Sequence, residues 1–97
     1  MKITYNKFEG ITVPDGKIME VAYTILKENN DVTITQGLLV DAIRLTMRNN
    51  NIPHENVIFI FGDNIIQVTK DYKLSDWPVG FCDTWDKIVG DLITPQL

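Results

Sequence analysis

The chain has one cysteine and one histidine in 97 residues. A lone thiol, Cys82, excludes an internal disulfide framework and any multi-cysteine zinc site. No apolar run approaches the roughly 18 residues that a membrane helix needs. The opening MKITYNKFEG contains no hydrophobic signal core, so a cytoplasmic compartment is expected. Phosphate loops of the GxxxxGK[ST] and GxGxxG types are absent, as are the GxSxG nucleophile turn and the HExxH zinc helix. Basic charge is also scarce. Nine Lys and Arg stand against 13 Asp and Glu, a net charge of −4. That balance disfavours a nucleic-acid footprint but is too small to suggest DNA mimicry.

What is present is globular material, 44% apolar and 23% charged. A chain of this length buries about two-thirds of its unfolded surface, so residues 1–97 are expected to form a single α/β domain around one core. The charge is unevenly placed. Residues 1–50 carry six basic and six acidic groups, whereas residues 51–97 carry three and seven.

Met1–Val13 alternates loosely and reads as one or two short strands. Pro14-Asp15-Gly16 is a turn, with Asp15 placed as a helix N-cap. From Lys17 to Asn29 the polar residues form one stripe and apolar residues fill the rest, as in a helix packed on two sides or laid on a sheet. Asn29-Asn30 supplies a left-handed C-cap. Asp31–Thr35 (DVTIT) is short, β-branched and alternating, hence a strand. Leu38–Asn49 reads as a second helix with Leu38, Leu39, Ala42, Ile43 and Leu45 inward and Asp41, Arg44 and Arg48 on an outer stripe.

Val57–Phe61 (VIFIF) is a continuous apolar run of the kind buried on both faces. Gly62-Asp63-Asn64 turns it into a return strand, Ile65–Thr69, so the pair is a β-hairpin. Trp85, Ile88, Val89 and Leu92 fall at i, i+3, i+4 and i+7, with Asp83 as N-cap, and mark a C-terminal amphipathic helix. The expected architecture is a small mixed sheet with a right-handed β-α-β crossover between Asp31–Thr35 and Val57–Phe61, the hairpin partner outside it, and helices against it.

Chemistry is sparse. His54 follows Pro53 in a loop and reads as a solvated side chain with no visible partner for base catalysis. Cys82 sits in an apolar-aromatic stretch, beside Asp83 and away from any cation that would favour a thiolate, and reads as a small buried hydrophobe. Asp63 is what a tight turn selects for positive φ rather than a metal ligand, since no DxD or ExxxD cluster accompanies it. Arg44 and Arg48 could read phosphate, but Asp41 offsets them. The unusual segment is Leu74–Trp85 (LSDWPVGFCDTW), with two tryptophans, a phenylalanine and a proline within twelve residues. It reads either as a flap packing the last helix on the sheet or as a set of partner-binding anchors.

Taken together, VTITQG, LLVDAIRLTMRNNNI, PHENVIFIF and DYKLSDWPVGFCD resemble the C-terminal end of AAA/ABC-type ATPases of the overcoming-lysogenisation-defect kind and their relatives in bacterial defence systems. The similarity spans about residues 15–93. Its specific motif is Asp76-Trp77-Pro78-x-Gly80-Phe81, and Thr33–Gln36 stands at the position of the family's switch. Gln36 takes the place of the switch histidine, Cys82 that of a second aromatic, and the nucleotide-binding parts on which phosphoryl transfer depends are not in this stretch.

The resemblance therefore implies a degenerate, stand-alone copy of the terminal lobe, without catalysis and without cofactor or metal. Such a chain would be a protein-interaction protein, an accessory subunit or decoy acting on an anti-phage defence ATPase complex. Asp76, Trp77, Pro78, Phe81 and Trp85 would form its partner-binding set. A homo-oligomer is compatible with this reading, whereas a membrane or nucleic-acid partner is not expected. The competing readings are a small metal-dependent enzyme built on Asp63, His54 and the acidic tail, and a nucleotide- or nucleic-acid-binding module using Arg44 and Arg48.

Overall fold

A computed structural model describes residues 1–76. Strand β1 (Lys2–Tyr5) is followed by a short 3₁₀ turn at Asp15–Lys17 and helix α1 (Ile18–Glu28). Strand β2 (Val32–Ile34) leads into helix α2 (Gly37–Asn49). A second 3₁₀ turn at His54–Asn56 precedes strands β3 (Ile58–Phe61) and β4 (Asn64–Gln67). The strands form one mixed sheet in the order β2-β1-β3-β4, parallel except for β4.

The sequence marks β1 only weakly, yet this strand is the centre of the sheet. It pairs with β2 on one side (Ile3 with Val32) and with β3 on the other (Ile3 with Phe59). The crossover from β2 to β3 therefore passes over β1 rather than joining neighbours. Both helices pack against each other, and so lie on one face. The chain moves outward from β1 to β2 and then back across β1 to β3 over that same face. The two crossovers are consequently of opposite hand, and only one can follow the right-handed rule.

Residues in register share a face of a sheet. The helix-covered face carries Ile3, Ile34, Phe59 and Ile66, each fully buried, packed on Ala22 and Ile25 of α1 and on Leu39, Val40, Ile43 and Met47 of α2. Burying a large aliphatic or aromatic side chain contributes about 1.5–3 kcal/mol, so this layer holds the fold together. Tyr5 and Phe61, neighbours in register, continue it with ring centroids 5.8 Å apart.

Several local expectations hold. Asn29 is the left-handed C-cap of α1, with φ 57 and ψ 34, and its N–H donates to the Ile25 carbonyl. β4 lies at the outer edge, reached through the two-residue loop Gly62-Asp63. Others are corrected. Asp15 lies inside the 3₁₀ turn and does not cap α1, whose first residue follows Lys17 without a side-chain cap. The apolar circumference of α1 is not fully covered, since Met19 and Tyr23 stay about half exposed. On α2, Leu45 faces solvent in part, while Asp41 and Arg44 are largely covered rather than lying on an outer stripe. In the hairpin loop the positive φ belongs to Gly62 (59°), not to Asp63. Of β3, only Phe59 is fully buried, and the two described helices cover one of its faces alone.

Candidate functional site

The sequence singles out the segment that begins at Asp71, and the structure describes it as far as Asp76. After β4 the chain turns back sharply. The Thr69 N–H donates to the Lys73 carbonyl at 2.8 Å, the Tyr72 N–H donates to the Thr69 carbonyl at 2.9 Å, and the Lys73 N–H donates to Thr69 Oγ1. Tyr72 adopts the left-handed conformation that this turn requires, with φ 62. Leu74 then forms an antiparallel bridge with Val68 and is buried. Ser75 completes the pairing: its N–H donates to the Gln67 carbonyl, and its hydroxyl accepts the Gln67 N–H at 2.9 Å. The start of the signature is thus stitched to the outer edge of β4, and Asp76 leaves that edge exposed. Trp77, Pro78, Phe81 and Trp85 lie outside the described residues, as do Cys82 and the expected C-terminal helix.

Tyr72 also ties this turn to the helical layer. Its hydroxyl donates to the Ile52 carbonyl at 2.9 Å, and its carbonyl accepts from the Arg44 guanidinium at 3.3 Å. Arg44 also pairs with Asp41 one turn earlier on α2. Asp41 Oδ2 is buried and makes no hydrogen bond among the described residues. Burial pushes the Asp41 carboxyl up from its ordinary value, against the opposing pull of Arg44. Arg44 is thereby engaged within the fold, so Arg44 and Arg48 are not a matched pair of exposed cations. Arg48 is the exposed member.

Gln36, at the switch position, has a structural task. Its Oε1 accepts the Val13 N–H at 2.6 Å and its Nε2 donates to the Val13 carbonyl at 2.8 Å. The side chain thus imitates a strand partner and pins the segment that leads into the first 3₁₀ turn. Nothing in this arrangement aims Gln36 at a ligand.

His54 is in a loop, as expected, but it is held rather than free. Nδ1 lies 2.8 Å from the Val68 carbonyl and Nε2 lies 3.1 Å from a Glu55 oxygen. The ring borders a cleft of about 140 Å³ lined by Glu55, Val57, Ile58, Gln67 and Val68. Asp63 occupies the opposite end of the hairpin, in the loop beyond the Phe61–Asn64 pair. Among the described residues no three His, Cys, Asp or Glu side chains group as metal ligands. No described helix is long and apolar enough to cross a membrane.

No family model, curated protein or solved structure matches the chain. The arrangement of its own surfaces therefore carries the functional reading. The face of the sheet away from the helices bears Thr4, Thr33, Ile58, Ile60 and Ile65 in adjoining register positions. Ile58 and Ile60 are half-buried and Ile65 is 66% exposed. A second exposed apolar feature is Phe8, 91% accessible. It sits on a loop ordered by Asn6, whose Oδ1 accepts the N–H groups of Phe8 and Glu9. Sequence reasoning passed over both. The sheet face needed the central placement of β1 to be seen, and the Phe8 loop had only the weak signal of an Asn two residues before an aromatic.

Proposed function

We propose that this chain is a non-catalytic interaction protein that docks on a bacterial defence-type ATPase complex as an accessory subunit or decoy. The observation that supports this reading is the open face of the sheet. Ile58, Ile60 and Ile65 form an apolar strip that neither of the two described helices covers, and sheets of mainly parallel strands ordinarily have both faces covered. A lobe resembling part of a larger ATPase would carry such a surface, because its counterpart in the larger protein packs against further structure. Exposed apolar strips of this kind mark interaction sites. Ser75, the residue before the signature, is bonded to the outer edge of β4, the strand that carries Ile65.

The competing metal-dependent reading needs His54 and Asp63 to converge, and they lie at opposite ends of the hairpin. The nucleotide reading needs Arg44 and Arg48 as a pair, and Arg44 is engaged by Asp41 and the Tyr72 carbonyl. Binding to a purified defence-type ATPase, measured by calorimetry and by the ATPase rate, tests the proposal. A stoichiometric complex weakened at least tenfold by Ile65→Asp is expected. The direction in which the ATPase rate moves would distinguish an accessory subunit from a decoy. No complex, or one indifferent to Ile65 and to Trp77, would overturn it.

A further inference from the structure

The turn that carries the chain from β4 toward the signature departs from the residue preference of its own type. Thr69 and Lys73 flank a three-residue loop, Lys70-Asp71-Tyr72. Its Tyr72 N–H donates to the Thr69 carbonyl, and the Thr69 N–H donates to the Lys73 carbonyl. Loops of this length close on a left-handed residue in third place, where glycine is favoured because it lacks a Cβ. Here that residue is Tyr72, with φ 62. The other non-glycine residues of positive φ among the described residues are Asn29 and Asn51, a type that tolerates this conformation. A bulky aromatic does not, and is an outlier that local preference fails to explain.

What the tyrosine supplies is reach. Its hydroxyl donates to the Ile52 carbonyl, 20 positions earlier, at 2.9 Å. The Ile52 N–H in turn donates to the Met47 carbonyl in the last turn of α2. The Tyr72 carbonyl accepts from Arg44 of the same helix. Its N–H, carbonyl and hydroxyl are thus all engaged, the latter two by α2 and the segment that follows it. Leu74, two residues on, is buried and bridges to Val68, and Ser75 holds the β4 edge immediately before Asp76.

We propose that Tyr72 is a positioning residue, whose phenol fastens the turn to α2 and so fixes where the Asp76-Trp77-Pro78 signature departs from the sheet. Strained residues persist where their surroundings over-determine them, and breaks in local preference mark positions with a further task. The tether supplies that over-determination. Glycine or asparagine would make the better turn, and neither reaches Ile52. The proposal deepens the interaction reading and rests on it for the signature's role, but the tether is tested on this chain alone.

The test is amide exchange on wild type, Tyr72→Phe, Tyr72→Gly and Ile43→Val, the last a substitution in the core. Tyr72→Phe removes one oxygen and leaves the backbone as it is. It is expected to speed exchange at Thr69 and Ser75 at least tenfold relative to the amides of β1 and β3, as a local opening does. Tyr72→Gly is expected to act in the same direction, although it relieves the positive φ. Ile43→Val, which lowers stability without touching the tether, is expected not to raise that ratio. Unchanged protection at Thr69 and Ser75 in Tyr72→Phe would overturn the proposal, as would a loss shared equally by β1 and β3. Stronger protection in Tyr72→Gly would overturn it too, because the turn alone would then account for the residue. Calorimetry with the purified defence-type ATPase separates the two readings, and Tyr72→Phe is expected to weaken binding at least threefold. Faster exchange with unchanged binding would uphold the tether and count against the signature as the contact.

Discussion

The two faces of the sheet start from the same alternation of side chains and end with different tasks. On the helix-covered face Ile3, Ile34, Phe59 and Ile66 have no exposed surface. On the other, Ile58 and Ile60 are half-buried and Ile65 mostly exposed. Both faces are apolar at β3 because VIFIF has no polar residue to distinguish them. The difference is made by the helices. Each has a broad apolar side, and both lie on the same side of the sheet. One face therefore holds the core, and the other is covered by neither of the two described helices.

Substitutions that strike the faces unequally test this division. The largest effect is expected from Phe59→Ala, which empties the centre of the covered face and should cost about 3–5 kcal/mol in urea unfolding. The neighbouring Ile60→Ala, on the open face, should cost less than half as much; equal losses would mean that the second face is also core. Gly10→Ala tests the margin between the faces, where Ile11 bridges to Ile34 of β2 and a Cβ on Gly10, with φ 147, would meet the Thr33 carbonyl oxygen at 2.8 Å. The close approach and the positive φ should together cost on the order of 1–3 kcal/mol in the same measurement. Gln36→Ala removes two hydrogen bonds to a partly buried backbone and should cost about 1–2 kcal/mol. Ile65→Thr should leave stability within about 0.5 kcal/mol of wild type, while weakening binding to the proposed ATPase partner.

The smallest effect concerns pH and the buried Asp41–Arg44 pair above the covered face. Burial raises the Asp41 carboxyl in the folded protein, so the fold holds that proton more tightly than the unfolded chain does. Asp41 therefore favours folding at pH below its ordinary value, and this contribution declines as pH rises through the raised folded value. Replacement by asparagine removes the titration. The stability of wild type minus that of Asp41→Asn should fall as pH rises across that window in a series of urea melts. A difference that rises with pH would mean that Arg44, rather than desolvation, dominates the site.

Much of the local structure was legible from the residues, and the misses have a common cause. The two helices, the β3–β4 hairpin and the Asn29 cap follow from periodicity and turn chemistry, which act over a few residues. The caps at Asp15 and the positive φ assigned to Asp63 failed at the same scale, because a 3₁₀ turn intervened in one case and Gly62 took the strained position in the other. The candidate site was less legible. His54 looked solvated because its partner, the Val68 carbonyl, is fourteen residues away. Asp41 and Arg44 looked like a surface stripe because helical spacing places them outward, and the turn carrying Tyr72 is invisible to a helical wheel.

Among the described residues, the sequence by itself determined the two helices and where β3 turns back on itself, and over the whole chain that the second half is acidic. These depend on neighbours within a turn or two. Only the tertiary structure decided that the short, weakly patterned Lys2–Tyr5 is the central strand, that both helices share one face, and that Gln36 meets Val13 and Gly10 meets Thr33. Those outcomes rest on contacts between residues more than twenty positions apart. Such contacts are selected by shape and hydrogen-bond fit after the elements have formed, and no local pattern encodes them.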